Sequence, residues 1–212
     1  MSLRDKQSDE SALAGPGLAG GRYALDEDVQ LMLRFQAGDA AAFDELVERN
    51  LAGVHGLAYK FLGDATLVED VAQEAFLRVF RNAKTYQPRA KFTTWLYRIV
   101  ANLCFNVSRS HKRRKAVSLE ALGHDDASLD WPDHRGEPPA ERLDRAELAQ
   151  HVARAIGELP DQQRMAIVLH QYEHNSYAEI AQTMGTTAPA VKSLLSRGRA
   201  KLRDRLAKYM SE

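Results

Sequence analysis

Near the C-terminal end of the chain, cations and hydroxyls recur at helical spacing: Lys192, Ser193, Ser196, Arg197 and Arg199. Ammonium, guanidinium and hydroxyl groups on one helix face are donors that duplex DNA accepts at phosphates and base edges. The inward stripe of the same helix is Val191, Leu194, Leu195 and Leu202. Just upstream, Ser176 can cap a preceding helix, and Glu179 three residues on completes a capping box. Ile180, Ala181 and Met184 give that helix an apolar stripe, and Gly185 can take the positive φ that ends it. Thr187 is a second N-cap candidate, and Pro189 is tolerated in the first turn that follows. Two short helices around a glycine turn, the second one basic, read as a helix-turn-helix whose second helix enters the major groove. A plain αα-hairpin would satisfy the same caps and turn.

A second stretch, Phe92 to Lys115, mixes aromatics (Phe92, Trp95, Tyr97), amides (Asn102, Asn106) and cations (Arg98, Arg109, Arg113), with Lys91 just ahead of it. Aromatics and amides can hold unstacked bases while cations follow the phosphates of a displaced strand. Trp95, Leu96, Ile99, Val100 and Leu103 fall on one stripe and belong to a core. Asn102 and Asn106, one turn apart, are the candidates for base contact. Lys91, Arg98 and Arg109 suit phosphate.

A third candidate is a polar face opposite a regular apolar stripe. Val68, Val71, Ala72, Ala75, Phe76, Val79 and Phe80 keep the i, i+3, i+4 rhythm. Asp70, Gln73, Glu74, Leu77 and Arg78 lie on the other side. A polar patch with an apolar centre suits a protein interface, and an ordinary solvated helix face has the same composition. His170-Gln-Tyr-Glu-His174 also places two histidines one turn apart with a glutamate between them, a zinc-hydrolase pattern. Zinc would need a third protein ligand, and Glu179 is the only obvious one nearby. A surface helix end explains the pattern more simply, so neither metal, cofactor nor catalytic residue is expected.

The elements that position these groups read as helices throughout. Apolar periodicity runs from about Asp26 to Ser110 with breaks at Gly38-Asp39, Gly63 and Gln87-Pro88, and no alternating run marks a strand. Helical rhythm is lost across 112–140, where Gly123, Trp131-Pro132 and Pro138-Pro139 mark a linker, and returns at Leu143. The expected fold is all-α: a tail (1–25), a helical domain (26–111), a flexible linker (112–140) and a second helical domain (141–212). Formal net charge is zero over 212 residues, yet it is segregated. Residues 108–115 carry five cations and no acid, whereas 120–147 carry nine acids against three arginines. The acidic segment could compete with DNA for the basic patches. Cys104 is the only cysteine, which rules out an intramolecular disulfide and suits a reducing cytoplasm. No apolar run reaches the ~18 residues of a membrane span, and the tail lacks the apolar core of a signal peptide.

Three segments in order resemble the sigma factors of bacterial RNA polymerase, in particular the extracytoplasmic-function group. Val68–Phe80 is similar to the helix that docks on the β′ clamp of core polymerase, which implies contacts from Asp70, Gln73, Glu74, Leu77 and Arg78. Phe92–Asn102 is similar to the segment that opens and reads the −10 promoter element, which implies roles for Lys91, Arg98, Asn102, Asn106, Arg109 and Arg113. Leu159-Pro160 with the helix-turn-helix resembles the domain that reads the −35 element and meets the β flap. The −35 contacts so implied are Thr187, Lys192, Ser193, Ser196, Arg197 and Arg199, with base edges at Lys192, Ser193, Ser196 and Arg197. Leu194 stands where relatives often carry a cation, and Gly198 stands where alanine is common. The resemblance also implies an anti-sigma factor as a partner. A stand-alone helix-turn-helix regulator with an N-terminal sensing or dimerisation domain is the competing expectation.

Overall fold

The computed structural model describes Tyr23, residues 25–118 and residues 139–207. Most of the tail, the acidic linker residues from Glu120 to Glu137, and Lys208 onward lie outside the described residues. Every regular element among those described is helical, with no strand. Eight α-helices follow in order: α1 (Glu27–Gln36), α2 (Ala40–Leu62), α3 (Ala65–Asn82), α4 (Phe92–Ser118), α5 (Pro139–Gly157), α6 (Asp161–Gln171), α7 (Tyr177–Met184) and α8 (Ala188–Leu206). A 3₁₀ turn, Ala83–Thr85, lies between α3 and α4.

Local chemistry sets the boundaries. Asp26 caps α1 by accepting from the Val29 amide at 3.0 Å, and Asp64 caps α3 by accepting from Thr66 at 2.9 Å. Gly63 ends α2 at φ 73°, a left-handed position where a Cβ would be strained. Gln36, at the end of α1, donates to the carbonyls of Ala83 (2.8 Å), Lys84 (3.2 Å) and Tyr86 (3.2 Å). That single amide fixes the turn from which α4 sets out.

Helices α1 to α4 bury one stripe each: Val29 and Met32, Leu46 and Phe61, Val71 and Ala75, Leu96 and Val100. The last member of the expected α3 stripe departs from it. Phe80 is 56% exposed and lies instead at the edge of Phe35 and Phe43, with ring centroids 5.4 Å away in each case. Helix α4 continues through Ser118, so residues 112–118, expected in the linker, extend the basic helix. Lys112, Arg113 and Arg114 thereby stay in register with Arg109 rather than trailing into coil.

The C-terminal helices pack α6 and α5 against α8, over Met165, Leu169, Ile180, Val191 and Leu195. Leu194 and Leu202 are only half-buried at the edge of that stripe. Gly198 has a structural reason. It is buried against α6, and a Cβ there would stand 3.2 Å from Ile167 Cγ1 and 3.6 Å from Gln163 Cβ. The glycine lets α8 approach α6 closely, which offsets the ~1 kcal/mol of helix propensity it forgoes.

The two groups of helices touch. Helix α7 lies along α4, and α6 lies against α2 and α4, so the buried apolar residues form one continuous cluster.

Candidate nucleic-acid interface

The helix-turn-helix is built as its residues specify. Ser176 accepts from the Glu179 amide at 3.3 Å, while Glu179 Oε2 accepts from the Ser176 amide at 2.9 Å and its hydroxyl at 2.7 Å. Gly185 takes φ 63° after α7. Thr187 Oγ1 accepts from the Ala190 amide at 3.4 Å and starts α8. Val191 and Leu195 point into the core, which turns Lys192, Ser193, Ser196, Arg197 and Arg199 to the outside, all exposed. Thr187 is exposed as well, with its hydroxyl engaged in the cap. Arg197 Nε reaches back to its own helix, donating to the Ser193 carbonyl at 3.3 Å. Arg199 Nη2 lies 3.5 Å from His170 Nδ1. The Arg199 charge adds to burial in holding His170 below its usual pKa. This face is a row of donors without a carboxylate among them, fit for a polyanion.

The second candidate face, on α4, is arranged otherwise. Asn106, Arg109 and Arg113 are exposed on successive turns, and Asn102 is half-buried. Arg109, Lys112 and Arg113, with Phe105 between them, line an open cleft whose far wall is Asp161 and Gln162 at the start of α6. Of the aromatics expected to meet bases, Phe92 is fully buried and Tyr97 is buried at the seam with α6, so neither is presented as a stacking surface. Trp95 is half-buried, 5.0 Å from the Tyr86 ring and 5.7 Å from Phe92. The hydrophobic effect claims the rings because the stripe that carries them faces α2 and α3.

The α4 cations meet carboxylates of the C-terminal helices. Lys91 Nζ is 2.8 Å from Glu179 Oε1, the oxygen that the capping box leaves free. The Lys91 hydrogen bond is the main reason the Glu179 carboxyl is held down at about 2, with the Ser176 contacts adding to it against desolvation. The pair raises Lys91 in return. Lys112 Nζ bonds Asp161 Oδ1 at 2.7 Å, and the Ser108 hydroxyl donates to Asp161 Oδ2 at 3.0 Å. Tyr97 Oη donates to Glu173 Oε2 at 2.8 Å, while Lys60 lies 3.4 Å from Glu173 Oε1 and over the Tyr172 ring. Burial, then the Glu173 charge, pushes the Tyr97 hydroxyl well above its usual pKa. Arg98 is half-buried beside the helix-turn-helix turn, where a Cβ on Gly185 would stand 3.9 Å from its Nη2.

Sequence reasoning missed this seam. Asp161, Arg164 and Glu173 each look like ordinary surface residues of an amphipathic helix. Arg164 is largely buried: it donates to the Phe61 carbonyl at 2.9 Å, to Leu159 at 3.2 Å and also to Gly157, with its guanidinium 5.2 Å above the Phe61 ring. Burial lowers its pKa. Only Glu173 carried a signal, and it pointed to zinc. Helix α6 ends at Gln171, and His174 sits beyond it at φ 51°, so the two histidines do not share a helical face. Among the described residues no cluster of three or more possible metal ligands forms.

On α3, Asp70 and Gln73 are exposed and Leu77 is 42% exposed between them. Glu74 and Arg78, half-buried, pair with each other at 2.9 Å one turn apart. The exposed Phe80 continues this face by another turn, a residue the apolar rhythm had assigned to the core.

The family model for sigma-70 region 2 matches residues 46–114, which hold the α3 face and the α4 cations. That for sigma-70 region 4 matches residues 149–202, the helix-turn-helix and the helices that brace it. The chain is 34% identical to the RNA polymerase sigma-H factor of Pseudomonas aeruginosa, over 88% of this chain and 97% of that protein. It belongs to the sigma-70 family, in the extracytoplasmic-function group. The extracytoplasmic-function sigma factor SigE of Mycolicibacterium smegmatis is 39% identical over 82% of this chain and 66% of its own length. SigW of Bacillus subtilis is 32% identical over 80% and 91%. Among solved structures, CnrH bound to the cytosolic domain of CnrY superposes with a TM-score of 0.64 at 28% identity, covering 86% of this chain and 99% of that one. The sigma factor RpoE of Bartonella quintana, bound to the anti-sigma factor NepR, shares the fold with a TM-score of 0.63 at 21% identity. This chain is therefore a promoter-recognising sigma factor that binds core RNA polymerase and promoter DNA and directs transcription initiation. The region 2 match removes the stand-alone regulator, which would not carry it. Among the described residues no helix is long and apolar enough to cross a membrane.

Proposed function

We propose that residues 26–111, with the α4 extension, form the unit that docks on the β′ clamp and reads the −10 element, and that residues 141–212 read the −35 element and meet the β flap. The α3 face of Asp70, Gln73, Glu74, Leu77 and Arg78 is the clamp contact. Asn102 and Asn106 take bases of the opened strand, while Lys91, Arg98, Arg109 and Arg113 follow its phosphates. Lys192, Ser193, Ser196 and Arg197 read base edges from the major groove, with Thr187 and Arg199 at its margin. The observation that carries this reading is the pair of cationic helix faces, α4 in the first unit and α8 in the second, together with the exposed polar face of α3 in the first unit.

The protein makes and breaks no bonds itself; it selects where polymerase starts, in the cytoplasm where polymerase works. An anti-sigma factor is its natural inhibitor, as the fold shared with the CnrY-bound and NepR-bound sigma factors supports. Transcription by bacterial core polymerase on a genomic fragment library, with transcript starts sequenced, tests the whole reading. Starts that share two spaced elements and depend on the added chain are expected. Starts that do not change when it is added would overturn it.

A further inference from the structure

The cleft in the second half of α4 holds more chemistry than a DNA phosphate uses. Its volume is about 480 Å³, within the roughly 300–1,000 Å³ of small-ligand sites. Arg109, Lys112 and Arg113 on one wall outnumber the single carboxylate, Asp161, on the other. Lys112 Nζ and the Ser108 hydroxyl engage Asp161 at 2.7 Å and 3.0 Å. That leaves Arg109 and Arg113 in excess: both are exposed, and neither joins an ion pair among the described residues. They stand one helical turn apart, where like charges repel each other and an anion between them meets two guanidinium forks. One turn earlier, half-buried Phe105 lines the same cleft, with the buried Phe61 ring packed edge-on against it at 5.5 Å. Gln162 adds an exposed amide beside Asp161. A DNA strand would meet Asp161 as a like charge, whereas a nucleobase edge would meet it as an acceptor. An ionised carboxylate has about four lone-pair positions. Lys112 and Ser108 take one on each oxygen, so each oxygen keeps room for another donor.

We propose that this cleft binds a guanine nucleotide carrying a chain of phosphates. Arg109 and Arg113 take the phosphates, Phe105 stacks on the base, and Asp161 with Gln162 reads the base edge. Guanine presents two adjacent N–H donors to a carboxylate and a carbonyl oxygen to an amide. Adenine would set a ring acceptor against the carboxylate. The same two arginines are assigned above to the −10 strand, so nucleotide and strand compete for them. That consequence rests on the assignment of α4 to −10 reading, whereas the binding itself does not.

Titration calorimetry on the full chain, in magnesium-free buffer, tests the site with GTP, ATP and inorganic tripolyphosphate. GTP is expected to bind one to one, at least tenfold tighter than either of the others. No binding of GTP at millimolar concentration overturns the site. Tripolyphosphate binding as tightly as GTP overturns it too, because only a cationic surface would then be left, and ATP matching GTP overturns the reading of the base edge. Phe105→Leu and Gln162→Ala each remove a base contact and lie outside the proposed DNA and polymerase contacts. Each should weaken GTP at least fivefold and leave tripolyphosphate unchanged, whereas Arg109→Ala should weaken both. Unchanged GTP affinity in the two base-contact variants overturns the proposal. Should Phe105→Leu not fold, the exposed Gln162 carries that arm alone. A single-stranded oligonucleotide bearing the −10 element should displace a fluorescent GTP analogue, and retention of the analogue overturns the competition. Failure of the sigma reading would show elsewhere, as transcript starts indifferent to the added chain, while GTP would still bind.

Discussion

Helices α4 and α8 carry cations at similar density, yet two lysines along the first are met by carboxylates of the other unit, while Lys192, Arg197 and Arg199 on the second are exposed. On α8, Val191 and Leu195 fix the rotation of the helix, and Lys192 and Arg197 stand clear of the body of the protein. Lys91, just ahead of α4, and Lys112 within it each meet an acid from the C-terminal helices. The lesson is that a basic stripe states what a helix can bind, whereas its neighbours decide when.

The comparison can be tested at several strengths. Leu96 under α4 and Leu195 under α8 are both fully buried, so Leu→Ala at either should cost about 2–5 kcal/mol of stability. If the two units are one cooperative body, each variant lowers a single thermal transition. Two separate transitions in calorimetry would show that the seam does not couple them. Next comes binding: Arg197→Ala should weaken discrimination at one −35 position by about tenfold in the holoenzyme. Arg109→Ala should slow promoter opening while leaving duplex −35 affinity unchanged. Equal effects of the two substitutions on both steps would erase the distinction between the faces.

Gly53 supplies a finer probe. A Cβ there would lie 2.6 Å from Tyr97 Oη, so Gly53→Ala must push the tyrosine away from Glu173. Overpacking of this kind costs about 1–3 kcal/mol, and thermal melts should show it. Tyr97→Phe in the Gly53→Ala background should recover part of the loss, since the shorter ring no longer meets the methyl. The smallest effect is on pH. The Glu179 carboxyl is lowered to about 2, chiefly by Lys91. Its stabilising contribution is complete above the ordinary glutamate value of 4.5 and is lost as pH falls from there toward 2. Lys91→Ala should flatten the dependence of stability on pH within that window, and an unchanged profile would mean that the ion pair is not formed in solution.

Much of this was legible in the chain. The caps at Ser176 and Thr187, the glycine stop at Gly185 and the stripes of α3 and α8 depend on neighbours within four residues, and local reading finds those. The extension of α4 to Ser118 was hidden because a run of cations carries no apolar rhythm. Phe80 was misplaced because periodicity does not show where a neighbouring helix stops covering the stripe. Gly198 looked like a weakness until Ile167 appeared opposite it. Glu173 looked like part of a metal pair until Tyr97, far away in sequence, claimed it.

The helices, their inward stripes, the segregation of charge and the pair of cationic faces are all written in the order of the residues. Those follow from side-chain type and a 3.6-residue period. Which cations meet carboxylates, why Gly198 is tolerated and which aromatics are buried emerge once the helices are packed. Those depend on contacts between residues far apart in the chain, such as Lys91 with Glu179 and Tyr97 with Glu173, which no local pattern encodes.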